Sequence, residues 1–75
     1  WENKDGIAAL QEFVDLYGNT AYAEFGIFHL GNAYMAKNEL SNAKREFDKI
    51  KDSKIKPISD AANLSLQVIE KREEQ

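Results

Sequence analysis

The tightest constraint on how this chain can fold is a spacing pattern between residues 27 and 57. Ile27, Leu30, Gly31 and Tyr34 are followed by Ala43, Phe47 and Pro57. Residues three and four apart are neighbours on a helix. Leu30, Gly31 and Tyr34 therefore share one helical face, and Ala43 and Phe47 share a face of a second helix. Lys37-Asn38-Glu39 interrupts the apolar rhythm between them, and asparagine accepts the left-handed conformation that ends many helices. The small residues Gly31 and Ala43 predict a close crossing, with Tyr34 and Phe47 filling the space beside it. The expected unit is an antiparallel helical hairpin. The pattern also recurs. Thirty-four positions before Ala43, Phe47 and Ile50 stand Ala9, Phe13 and Leu16; thirty-four positions after Ile27, Leu30 and Tyr34 stand Ala61, Leu64 and Val68, with Ser65 at the glycine position.

This arrangement resembles the tetratricopeptide repeat (TPR), a helix-turn-helix unit of about 34 residues with the pattern W-x2-L-G-x2-Y, A-x3-F and P. Ile27 stands at the tryptophan position, and Pro57 falls two residues late, which predicts a longer loop after the second helix. The resemblance implies an all-α fold, with antiparallel helical hairpins stacked as a short right-handed solenoid of about four helices. It implies a single domain, 1–75, that begins at the second helix of one repeat. The implied partner is a protein or peptide, another repeat, or a copy of the chain itself. In the family register the second, fifth, ninth and twelfth repeat positions line the groove. That makes Phe25, Phe28, Asn32 and Met35 partner-binding candidates. The equivalents in the last helix are Ser59, Ala62, Leu66 and Ile69, of which Leu66 and Ile69 complete the candidate set. Asn32 stands where chaperone-binding members clamp a C-terminal carboxylate, but Phe28 and Ala36 occupy the places of the clamp lysines. The implied groove takes apolar or mixed segments, with Met35 giving adaptability.

In chain order, the first helix is expected over 5–17, with Ile7, Leu10, Phe13, Val14, Leu16 and Tyr17 as its apolar stripe. Asp5 is its expected N-cap and Gly18 its left-handed stop. Thr20 caps a helix over 21–37, a third runs over about 40–52, and together they make the hairpin 21–52. Residues 53–57 form a loop, and Pro57 opens a fourth helix over 58–73. Residues 13–23 resemble the F-x-x-x-Y-P-x-S-P-x-A linker of repeats in bacterial cell-envelope proteins, with Gly18 and Ala21 at the two proline positions. That likeness leans the compartment toward the periplasm, and the lack of cysteine fits the cytoplasm equally well. The opening residue, Trp1 rather than Met, reads as an excised domain or a processed product.

Seventy-five residues bury a modest fraction of their surface, and no disulfide supplements the core. No apolar run approaches the roughly 20 residues of a membrane span. The net charge of −3 is unevenly spread, with Lys44, Arg45, Lys49, Lys51, Lys54 and Lys56 close together. Glu46, Asp48 and Asp52 interrupt that patch in an acidic chain, which argues against nucleic acid and for a solvated face.

Catalytic chemistry has little to build on. His29 is the sole histidine, and the positions that could pair with it on its own helix face hold Phe25, Gly26, Asn32 and Ala33. No metal site, cofactor or catalytic set is expected. The expected function is protein–protein interaction or scaffolding of TPR type. The alternatives are a docking segment of a larger enzyme and a self-assembly module. One further expectation concerns helix four. The register assigns Ala61, Leu64 and Val68 to its inward face and leaves Leu66 and Ile69 as an exposed apolar patch.

Overall fold

A single charged residue, Glu24, interrupts the stretch from Ala21 to Ala36. A helix that is apolar nearly all round has to be covered on more than one side. A computed structural model of the chain, describing residues 6–18 and 20–74, shows how that is met. Four helices, α1 (Gly6–Tyr17), α2 (Ala21–Ala36), α3 (Leu40–Asp48) and α4 (Lys56–Glu73), pack into an all-α fold with no strand among the described residues. The second helix touches each of the others, whereas α1 touches α2 alone.

Each helix boundary has a local cause. Gly18 sits at φ +56° and its N–H donates to the Val14 carbonyl at 2.9 Å, which closes α1. Thr20 caps α2, its hydroxyl oxygen accepting from the Ala23 N–H at 3.4 Å. Asn38 takes φ +60°, the Glu39 N–H donates to the Tyr34 carbonyl and the Asn38 N–H to that of Met35, both at 2.9 Å. That pair of bonds is a complete Schellman motif, and it satisfies two carbonyls at the end of α2. The expected N-cap Asp5 lies outside the described residues.

The third helix ends at Asp48, four residues before the expected stop. From there the Lys49, Ile50 and Ser53 amides donate to the carbonyls of Glu46, Phe47 and Ile50, each three residues back, at 3.1 Å. These tighter turns keep Ile50 buried although the helix has ended. The fourth helix starts two residues early, at Lys56, with Pro57 inside its first turn, where a missing N–H costs nothing.

Two glycines let α2 be approached on two sides. A Cβ on Gly31 would lie 2.5–2.8 Å from three atoms of the Phe47 ring, and one on Gly26 would lie 2.8 Å from Phe13 Cδ1 and 2.9 Å from Val14 Cγ2. The close approach expected at Gly31 is therefore made by an aromatic ring standing on the bare backbone. Phe47 is fully buried, as are Ala43, Ile50, Ala62 and Ile69, with Ile58 completing the cluster. Among the described residues the one buried carboxylate, Glu46, is matched by the Lys49 ammonium at 3.1 Å and the Arg45 guanidinium at 3.8 Å.

The face of α4 is the reverse of the expected one. Ile58, Ala62 and Ile69 point inward with Leu66 packed beside them, while Leu64 and Val68 are 63% and 39% exposed. The cause is what lies next to the helix. The fourth helix can bury only the side turned to α3 and α2, and no described helix covers the side of Leu64 and Val68.

The Gly31 contact sets two effects against each other. Alanine is the better helix former by roughly 0.5–1 kcal/mol, but overpacking a filled core costs about 1–3 kcal/mol. Gly31→Ala should therefore lower the melting temperature. The loss should shrink in a Phe47→Leu background, as a four-protein thermal cycle would record; a raised melting temperature in the single variant contradicts the contact.

Candidate functional site

Two hollows among the described residues are set apart by their linings. The first, about 310 Å³, lies where the start of α2 meets the end of α3, among Gly18, Thr20, Ala23, Glu24, Ile27, Lys49 and Ile50. Both of its charged groups have partners within the chain. The Ser53 hydroxyl donates to the Glu24 carboxylate and accepts from the Ile55 N–H at 3.0 Å, and the Lys49 ammonium holds Glu46. The Ser53–Glu24 bond fastens the α3–α4 connection to α2.

The second hollow, about 220 Å³, lies between α2 and the first turns of α4 and is walled by Phe25, Phe28, Pro57, Ile58 and Ala61, with His29 beside them. Its walls are set by the folding just described. Phe28 is held edge-on against Phe47, ring centroids 5.9 Å apart, and Ile58 belongs to the core cluster. Phe25 is 49% exposed, so one wall is free to meet another molecule. His29 is exposed and brings the one polar ring, edge-on to Phe28 at 5.9 Å. Ligand pockets for small molecules usually span about 300–1,000 Å³. A shallow apolar hollow below that range matches a single anchoring side chain better than a whole metabolite.

The sequence-derived candidates divide on this geometry. Phe25 and Phe28 line the same hollow. Asn32 is exposed, further along α2, and does not line it. Met35 is half-buried and packs against the core cluster, as does Leu66. Ile69 is wholly buried and is removed from the candidate set: a side chain at 0% exposure touches no partner without unfolding. His29, Pro57, Ile58 and Ala61 were missed, because they meet only when α4 is laid across α2. Among the described residues no group of three or more His, Cys, Asp or Glu side chains could hold a metal ion, and no described helix is long and apolar enough to cross a membrane. No protein-family model, curated protein or solved structure matches the chain.

The reversal on α4 gives unequal costs for two similar truncations. Ile69→Ala should cost about 2–5 kcal/mol, as deleting buried methyl groups does. Leu64→Ala should stay within about 0.5 kcal/mol, the usual range for surface changes. Urea unfolding of both variants measures the difference, and equal losses would restore the outward placement of Ile69.

Proposed function

We propose that this chain is a protein-interaction module of tetratricopeptide type, without catalysis. It holds one large apolar side chain of a partner segment between α2 and α4. The observation that carries the reading is the hollow framed by Phe25, Phe28, Pro57, Ile58 and Ala61, with apolar walls fixed from behind by the core. Supporting it are the recurrence at 34 positions and the α2–α3 hairpin closed at Asn38. Aromatic walls give large contact area at low entropy cost, as anchor pockets at interfaces do. His29, beside the aromatic walls, can bond the backbone of a segment whose side chain is inserted. Peptide grooves commonly divide the work in this way, with pockets giving selectivity and polar groups giving register.

Selection from a random peptide library against the 75-residue chain should enrich segments that share one Leu, Phe, Met or Trp anchor. In titrations of a selected peptide, Phe25→Glu should weaken binding about tenfold or more, with the helical circular dichroism unchanged. Leu64→Glu, outside the hollow, should leave affinity as it was. A library that yields no anchored peptide, or peptides indifferent to Phe25→Glu, overturns the reading.

A further inference from the structure

Two apolar faces are uncovered, one at each end of the helix order. On α4 these are Leu64 and Val68, with half-buried Ala61 one turn before; on α1 they are Phe13, Leu16 and Tyr17, exposed by 37%, 76% and 41%. The chain itself shows what covers such a face. On α2, Gly31 takes the Phe47 ring of α3, and Ile27 and Tyr34 pack against the cluster of Ala43, Phe47 and Ile50, with Leu30 buried in the same stretch. Thirty-four positions after the receiving set come Ala61, Leu64, Ser65 and Val68, and thirty-four before the presented set come Ala9, Phe13 and Leu16. The fourth helix thus repeats a receiving face that no described helix covers. The first repeats an inserting face whose Phe13 rests one edge on Gly26 of α2 while Leu16 stays mostly exposed.

We infer that α1 of a second copy of this chain packs on the Ala61–Val68 face of α4, antiparallel, in the way that α3 packs on α2. The contact is heterologous, since α1 of one copy meets α4 of the other, and each added copy leaves one of each face open. Charge agrees with this register. Lys49 of α3 lies beside Thr20, Ala23, Glu24 and Ile27. The equivalent of Lys49 in α1 is Asp15, and the positions 34 after that lining set are Lys54, Pro57, Ile58 and Ala61. The carboxylate of α1 thus arrives near exposed Lys54, beside Lys56, whose ammonium lies 3.6 Å from the Asp60 carboxylate. Ser65 bears a Cβ and a hydroxyl where α2 has Gly31, so the two helices stand further apart than α2 and α3. Phe13 also rests one ring edge on Gly26. Both features make this contact weaker than the intramolecular one. The second copy's α1 reaches Pro57, Ile58 and Ala61, which also wall the hollow at Phe25, so a bound segment and a second copy compete for that edge.

Sedimentation of the 75-residue chain over a concentration series should show association that continues past the dimer. Leu16→Glu disables the inserting face and Leu64→Glu the receiving face. Each substituted side chain is mostly exposed, so circular dichroism should show the fold unchanged. Each variant alone should associate about tenfold or more weakly than the parent. Mixed in equal amounts, the two should form one-to-one dimers and nothing larger, because only one intact pair of faces remains. A parent that stays monomeric at every concentration reached, or that stops at a dimer, overturns the inference. So do single variants that assemble like the parent, and a mixture that stays monomeric or grows past the dimer.

Discussion

The ring of Phe47 standing on the bare backbone of Gly31 is the contact on which the other packing depends. It sets how near α3 comes to α2, and through the edge-on contact with Phe28 it fixes one wall of the apolar hollow. Ala43 and Ile50 share the face of Phe47 and join Ile58, Ala62 and Ile69 with it in one buried cluster. A glycine seldom appears in the middle of a helix without reason, because it weakens the helix relative to alanine. Here the missing Cβ is the space the ring occupies. Stability and the candidate binding surface therefore share one aromatic side chain.

The hairpin was legible because its signals are local. Spacings of three and four, a glycine and an alanine marking a close crossing, and an asparagine between two helices specify α2, its turn and the start of α3 without reference to anything distant. The meeting of Gly31 with the Phe47 ring rather than with Ala43 was not legible. The end of α3 was not legible. Ile50 keeps helical spacing from Phe47 and is buried as that spacing implies, yet the backbone reaches it through tighter turns. An apolar pattern records which side chains point inward, not which carbonyl each amide chooses. The glycine at position 26 also passed unread as a packing site, because its partners, Phe13 and Val14, belong to another helix.

The reversed face of α4 has a different origin. A register shifted by 34 positions tells what kind of surface Leu64 and Val68 make. It does not tell whether a covering helix stands beside them. The chain answers with the neighbours it has, and Ile69 and Ala62 are buried against them. The hollow at Phe25 illustrates the same limit from the other side. Its aromatic half was visible in sequence, whereas Pro57, Ile58 and Ala61 joined it only through the tertiary placement of α4.

The first helix is held differently from the rest. None of its residues is fully buried, and it touches α2 alone, through the Phe13 and Val14 contacts at Gly26. The α3–α4 connection, by contrast, is tied to α2 through Glu24 and Ser53, and the Asn63 amide donates to the Lys51 carbonyl at 3.1 Å. Regions with little buried apolar contact open with a smaller free energy than the core does. The native state therefore has a graded order of opening. By that rule α1, with no fully buried residue, should open at a smaller free-energy cost than the amides around Phe47. Opening of α1 would bare the Gly26 side of α2 as a second groove beside the one at Phe25.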